Sequence, residues 1–588
     1  MIPIPARALP LLAVTLLAAA CATPQPSRQA GSAPPAAIEI GLVAINDFHG
    51  ALQPPKQSIT VRRPDGTIVA VPAGGAAWLA SAVEQIKAEH PNHVVVAAGD
   101  LTSASQLASS LYLDEPTVGV MNRIGLEFNA VGNHEFDRGW KELRRLQTGG
   151  CEKNTHLTPC RLEAFGGAHY KYLAASTFMA DGTTLFPATG LKRFDTPAGR
   201  ITIGFIGLSL STVPALVQPE VVKGLRFADE ADTINALVPR LKAEGADAVV
   251  VLIHQGGKTT PLSDPSGCDG MAGEILPIVD RLKPGVDVIV SGHTHWAYVC
   301  DRMGPDPAHP ILMTSAGVYG ELVTDMTLRF DPVTHALIGK SARNVVVQSE
   351  PYTATRGRIE NTDAFARFLP QPEVAAYVKR YVEDVAHDIA RPAGHLSKAA
   401  AKTEGDEIWV GGPLGNLIAD SHLYGTRQLG AQLAFTNPFG IRTSLVPAPD
   451  GSVTFGQLYA VMPFNNQLVV QTMTGAQIRA AIEEGLDDTD PKQVLSASAN
   501  VRFAFDMKRP AGARLVSLTI DGKPVKDTAT YRVTTNSFLS EGGDFYSTFT
   551  KATDKVRGGI DLDAFEAWLS AVPMRKLPEE VRAVEVGG

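Results

Sequence analysis

Five apolar runs in the first 300 residues each stop on a side chain able to hold a metal ion. "IEIGLVAI" runs into "NDFHG", delivering Asp47 and His49; "HVVVAAG" stops at Asp100. "FNAVG" leads into "GNHEFD", with Asn133, His134, Glu135 and Asp137 in five positions. "DAVVVLI" stops at His254, and "VDVIVSG" at His293 and His295. Asn and Asp also favour turns and helix starts, so one such ending would read as a loop. Five endings are not explained by turns. Short β-rich runs bounded by polar residues read as strands, and ligands in α/β sheets gather beyond the carboxyl ends of strands. Mixed carboxylate and imidazole donors suit two ions drawn from Zn, Mn, Co or Fe rather than Ca. Asp100, in the middle of the series, is the natural bridging carboxylate, and two ions about 3.5–4 Å apart would activate a water and neutralise a phosphoryl group.

Between those runs lie amphipathic stretches such as 75–90 and 231–244, the alternation of an α/β sandwich. The spacing predicts a helix over 372–390, "PEVAAYVKRYVEDVAHDIA", and beyond it a second α/β region with "AQLAFTN", "NQLVVQTM" and "TYRVTTNSF" as strands. The expected layout is a first region 38–365, a linker helix 366–392 and a second region 393–588. A chain of 588 residues is too long for one core.

The first residues read as an export signal. Arg7 precedes the apolar run "ALPLLAVTLLAAAC", which is too short for a membrane span and is followed by Pro-rich polar sequence. Residues 1–20 are the expected signal peptide and 21–37 a flexible tether. Cys21 is the lipidation candidate, although Leu17 lies one position further from it than in a bacterial lipoprotein site; Ala18-Ala19-Ala20 would equally serve ordinary cleavage. The expected location is the periplasm of a bacterium, or its outer membrane through a lipid anchor. Removing Cys21 leaves Cys151, Cys160, Cys268 and Cys300, an even number that suggests two disulfides in an exported chain. Cys151–Cys160 would close a short loop and Cys268–Cys300 would join two loops; three pairings are open, and a four-thiolate zinc site lacks the usual spacing. A net charge of −8 without a basic run excludes nucleic acid polymers and anionic membranes as main partners. The expected partner is a small molecule, and the expected state a monomer.

Taken in order, "NDFHG", "GD", "GNHEFD", a strand-end His and "GHTH" resemble the calcineurin-like metallophosphatases. "PLGNLIAD", "TNPFGIR", "VMPFNNQLV" and "FLSEGGDFY" resemble the C-terminal domain of bacterial and animal 5′-nucleotidases. The resemblance implies a four-layer α/β/β/α metallophosphatase sandwich, a linker helix and a nucleotide-binding α/β domain. It implies one metal on Asp47, His49, His295 and shared Asp100, and another on Asp100, Asn133, His254 and His293. It makes His134, oriented by Asp137, the group that stabilises the transferring phosphoryl, and leaves Glu135 structural. Phe464 and Phe538 would sandwich a nucleobase; Asn437, Asn466 and Asp544 would contact base or ribose, and Arg442 phosphate or ribose.

The chain departs from the family in places. No arginine lies between Arg391 and Arg427, "NPFGIR" places Pro438 and Phe439 where glycines are usual, and Ser176 stands where Asn is usual. The implied activity is hydrolysis of 5′-nucleoside monophosphates by metal-bound hydroxide. A 2′,3′-cyclic nucleotide phosphodiesterase or nucleotide-sugar hydrolase is the alternative, and a non-catalytic envelope binding protein ranks below both.

Overall fold

Strand Ile38–Ile45 pairs in parallel with His93–Ala97, which continues in parallel to Phe128–Ala130 and Lys171–Leu173. On its other edge, antiparallel Leu322–Phe330 and Leu337–Val346 complete a six-stranded sheet. A second six-stranded sheet runs Ala297–Arg302, Ile311–Ala316, Val288–Ser291, Ala248–Ile253, Gly199–Leu208, Thr189–Thr196, parallel in its centre and antiparallel at both edges. These strands belong to a computed structural model that describes residues 36–586 except 64, 305–306, 308, 355–356, 403–407 and 489–491. The expected signal peptide, most of the tether and Cys21 lie outside the described residues. Among the described residues no helix is long and apolar enough to cross a membrane.

Because side chains alternate across a strand, each sheet has two buried faces. Ile40, Leu42, Val94 and Val96 meet Ile203, Phe205, Val250 and Leu252 between the sheets. The alternate residues Val43, Ile45, Val95 and Ala97 pack under helices Ala76–Glu89, Glu115–Ile124 and Pro372–Asp384. On the far side, Val249, Val251 and Ile253 pack under Glu230–Ala243 and Ile275–Asp280. The result is the α/β/β/α sandwich.

The helix over 372–390 is interrupted. Pro372–Asp384 ends at Val385 (φ −98°, ψ 4°), and Ala386–Ala390 follows as a separate short helix. Val385 is fully buried in the first region's core, whereas no residue of Ala386–Ala390 is buried. The chain turns at the residue where it leaves that core.

The C-terminal region centres on a five-stranded sheet, Ser496–Ala497, Leu433–Thr436, Thr530–Asn536, Gln467–Thr474, Thr553–Ile560, flanked by helices Gly412–Thr426, Gly475–Glu484 and Asp561–Ser570. A second sheet joins Lys523–Pro524, Leu515–Ile520, Val501–Phe505 and Ala583–Glu585. Leu107, from the N-terminal half, is buried in one cluster with Leu414, Ile441 and Leu458, so the described residues from 37 on pack as one compact unit. Two disulfides form, Cys151–Cys160 and Cys268–Cys300.

Candidate active site

Both central sheets contribute to one site, because the parallel strands of each end at the same edge. Asp47, Asp100 and Asn133 follow three strands of the first sheet; His254 and His293 follow two of the second. Asp47, His49, Asp100, His293 and His295 all have positive φ, between 46° and 71°. Left-handed backbone is uncommon outside glycine and costs energy, and a cluster of it points to a site over-determined by its surroundings. Gly132 shows the packing limit: a Cβ there would fall 2.1 Å from Asp100 Oδ1.

The ligand atoms form two groups. Those of Asp47, His49 and His295 lie within 4.8 Å of one another, and so do those of Asp100, His254 and His293. His49 Nε2 is 3.3 Å from His295 Nε2 and 3.8 Å from Asp100 Oδ2, so Asp100 stands between the groups. Nδ1 of His49 donates to the Ser103 carbonyl at 3.1 Å, and Nδ1 of His254 donates to the Ala98 carbonyl at 2.7 Å. Each bond anchors Nδ1 and turns Nε2 toward the site, the usual support for a metal-bound imidazole. Asn133 Oδ1 is buried without a hydrogen-bond partner. Burial holds His49 and His295 well below the usual imidazole range, and burial with the His254 charge takes His293 down to about 3. At His254 burial is outweighed by the Asp100 carboxylate, which raises the pKa to about 10 by holding a proton that a bound cation would displace. With three neutral imidazoles, two carboxylates and an orphaned amide oxygen, the donor set fits a pair of divalent cations.

Residues outside the ligand set hold it. Asn46 Nδ2 donates to Asp47 Oδ2 (2.8 Å) and to the Gly317 carbonyl (2.7 Å). Glu135 accepts from the backbone N–H groups of Gly132 (2.7 Å), Asp100 (2.8 Å), Leu101 (2.8 Å) and Thr102 (3.3 Å), tying together the two loops that present Asp100 and Asn133. Its structural role is thus a specific one. Arg138, next to Asp137, pairs with buried Asp114, whose carboxylate also accepts from Ser103 N–H at 3.0 Å.

His134 Nδ1 donates to Asp137 Oδ2 at 2.9 Å, and the His134 backbone N–H donates to Asp100 Oδ1 at 2.9 Å. Burial disfavours a charged His134, but the Asp137 and Asp100 carboxylates outweigh it and raise its pKa. Both carboxylates favour the cationic form of this imidazole, which lies beside the metal-ligand groups without belonging to either.

The C-terminal residues converge on the same place. A cavity of about 1760 Å³ is lined by Asp100, Asn133, His134, Asp137, His293 and His295 on one side and by Asn437, Arg442, Phe464, Asn466, Phe538 and Asp544 on the other. Arg442 Nη2 is buried without a hydrogen-bond partner. Asn437 Nδ2 donates to Asp544 Oδ2 at 2.6 Å, and burial pushes the Asp544 carboxyl up to about 6. The Phe538 ring lies so close to Gly543 that a Cβ there would come within 2.4 Å of it.

Phe464 is half-buried. Its ring stacks on His134, with centroids 5.6 Å apart and planes inclined by 16°. The Arg442 guanidinium carbon is 5.9 Å from the same ring. Gln218, which carried no sequence signal, donates through Nε2 to Asn466 Oδ1 at 3.2 Å and so reaches the C-terminal group from the N-terminal half. Trp296 also lines the cavity and was not singled out; its one signal is its position directly after His295. Ser176, at the departure noted above, is turned away into a buried bond with the Ser209 carbonyl at 3.0 Å.

The calcineurin-like phosphoesterase family matches residues 41–297, and the 5′-nucleotidase C-terminal domain matches residues 392–551. The endonuclease YhcR of Bacillus subtilis is 28% identical over 539 residues, which are 91% of this chain but 40% of that protein, so this chain spans well under two thirds of its length. The NAD 5′-nucleotidase of Haemophilus influenzae is 23% identical over 581 residues, covering 89% of this chain and 88% of that one. The crystal structure of a 5′-nucleotidase precursor from Thermus thermophilus superposes with a TM-score of 0.73 at 24% identity, covering 94% of this chain and all of that one.

Proposed function

Because the chain belongs to the 5′-nucleotidase family, with its calcineurin-like phosphoesterase region and its own C-terminal domain, we propose that it hydrolyses 5′-nucleoside monophosphates to nucleoside and phosphate. The observation that carries this reading is the shared cavity, which joins two metal-ligand groups to an unpaired guanidinium and two half-buried phenylalanines. Two divalent ions, held by Asp47, His49, Asp100, Asn133, His254, His293 and His295, would supply an activated water and neutralise phosphoryl oxygens. His134, whose cationic form Asp137 favours, would place positive charge where the transferring phosphoryl group gathers negative charge. Arg442 holds the phosphate from the opposite wall, where a planar guanidinium matches its oxygens. Phe538, and Phe464 where it turns from His134, offer flat faces to the base.

Export is part of the proposal. It draws on the N-terminal signal pattern and on two disulfides, which persist in oxidising compartments. A purely binding role is disfavoured by the His134–Asp137 pair, which binding alone does not require.

The test is phosphate release from AMP, UMP and 2′,3′-cyclic AMP, before and after chelation, with Mn²⁺, Co²⁺ or Zn²⁺ returned singly. Release from the 5′-monophosphates that is lost on chelation and restored by metal is the expected result. Turnover by protein shown to be metal-free, or no release from any nucleotide by metal-loaded protein, would overturn it.

A further inference from the structure

Strand Gly199–Leu208 runs parallel to Ala248–Ile253 and ends at the same edge, yet the chain beyond it supplies no member of either metal-ligand group. Residues 209–218 run instead to the C-terminal region. Leu210, Val213 and Val217 are buried in the first region's core, and Ser211 N–H donates to Glu230 Oε1 at 2.5 Å. The turn Val213–Leu216 packs against Gly543–Phe545, which holds Asp544. Gln218 follows on this anchored segment.

Gln218 meets both loops that carry the cavity's phenylalanines. Its Nε2 donates to Asn466 Oδ1 at 3.2 Å and to Ser537 Oγ at 3.4 Å. Asn466 lies two positions after Phe464, and Ser537 directly precedes Phe538. Gln218, Phe464, Asn466 and Phe538 all line the cavity. A carboxamide nitrogen carries two hydrogens, and its oxygen only accepts. One hydrogen goes to each partner, so the nitrogen is committed. Among the described residues nothing donates to Gln218 Oε1, and the residue is only half-buried. Turning the amide over would set Oε1 against Asn466 Oδ1, acceptor to acceptor. Asn466 is itself held from the other side: its side chain hydrogen-bonds the buried Asp561 carboxyl, and Asp561 N–H donates to the Asn466 carbonyl at 2.8 Å. Asn437, the other carboxamide expected to meet the base, is engaged at both ends, donating to Asp544 and accepting from Asn536 Nδ2 at 3.2 Å. Gln218 thus offers the cavity an acceptor whose neighbouring donors are spent.

We propose that Gln218 is a specificity-determining residue whose Oε1 accepts a hydrogen bond from an exocyclic amine of the base, so that the site prefers 6-aminopurine to 6-oxopurine nucleotides. Adenine carries an N6 amine where hypoxanthine carries a carbonyl oxygen, and that oxygen would face Oε1 with no proton between them. A site built to take a hydrogen bond turns away an analogue without the donor, because its own polar atom is then left unpaired. The inference rests on the nucleotide-hydrolase reading above and deepens it, naming the class of base and a residue of the N-terminal half that reads it.

The experiment measures kcat/KM of the metal-loaded protein, by phosphate release, on AMP, IMP and the 5′-monophosphate of purine riboside, which has only hydrogen at C6. The wild-type protein is expected to favour AMP over each of the others by about fivefold or more. Gln218→Met keeps the length of the side chain without a strong acceptor, and should bring both ratios to within about twofold of unity. Ratios that persist in Gln218→Met would overturn the assignment. So would a loss shared equally by all three substrates, which would leave Gln218 as a tie between the two halves. In case the variant does not fold, the wild-type protein decides alone: AMP turned over no better than purine riboside monophosphate ends the proposal. If none of the three is hydrolysed, the reading beneath falls and this one with it; equal turnover of all three removes the role of Gln218 alone.

Discussion

Replacing Phe464 by alanine separates two jobs that the sequence merged into one. In the structure the Phe464 ring lies on His134 at 5.6 Å with nearly parallel planes, whereas the Phe538 ring packs against Gly543. An offset aromatic stack contributes about 0.5–1.5 kcal/mol, so losing it should cost roughly 2- to 13-fold in any reaction that needs His134 in place. Stacking on a nucleobase contributes about 1–3 kcal/mol, a factor of roughly 5 to 150. Phe464→Ala should therefore lower kcat/KM modestly for p-nitrophenyl phosphate, which has no base, and by a further factor for AMP. Phe538→Ala should lower kcat/KM for AMP and leave p-nitrophenyl phosphate within about twofold, since base stacking is the role assigned to it. The assay is steady-state kinetics of three proteins on two substrates with one metal. Equal losses on both substrates for Phe538→Ala would refute base stacking at that position. No loss on p-nitrophenyl phosphate for Phe464→Ala would refute the idea that its stack positions His134.

His134→Ala should lower turnover by about 10²–10³-fold, the usual effect of removing one stabilising group from a transition state, while elemental analysis still finds two ions per chain; loss of an ion would reassign His134 as a ligand. Arg442→Ala should raise KM for AMP more than it lowers kcat, since the guanidinium holds phosphate in the ground state; a pure kcat effect would place it in the transition state instead. Burial pushes the Asp561 carboxyl from 3.8 up to about 7, so between those values the folded chain holds a proton that the unfolded chain has released. Its contribution to stability falls as pH rises through that window, and Asp561→Asn should flatten this part of a thermal-denaturation profile; an unchanged slope would refute it.

The candidate ligands were legible because parallel strands buried on both faces are uninterrupted apolar runs, and a polar residue at the end of such a run stands out. The antiparallel edge strands were less so. Leu322–Phe330 mixes Thr, Asp and Arg among its apolar residues, and Leu337–Val346 is mostly half-exposed, so neither stands out as a run. The break at Val385 falls in a sequence with good helical spacing, and tertiary burial of one valine decides it. Within the site, the pairing of Asp137 with His134 is what the family resemblance implies, and the structure places the two 2.9 Å apart. The stack of Phe464 on His134 spans 330 positions and the Gln218–Asn466 bond spans 248, and no local pattern encodes either. The family resemblance leaves Glu135 structural, and its four N–H donors come from two loops that only the folded sheet brings together.

The left-handed backbone at Asp47, His49, Asp100, His293 and His295 has a consequence for how this centre could evolve. Outside glycine, the residues that tolerate such a conformation best are Asn, Asp and His. Those three supply amide oxygen, carboxylate and imidazole, the donors of borderline and hard cations. Cysteine and methionine, the donors that would recruit soft ions, face a conformational penalty at each of these five positions before any metal arrives. At these five positions drift is thereby biased toward exchanges among three side chains, and there the main chain would act as a filter on metal identity.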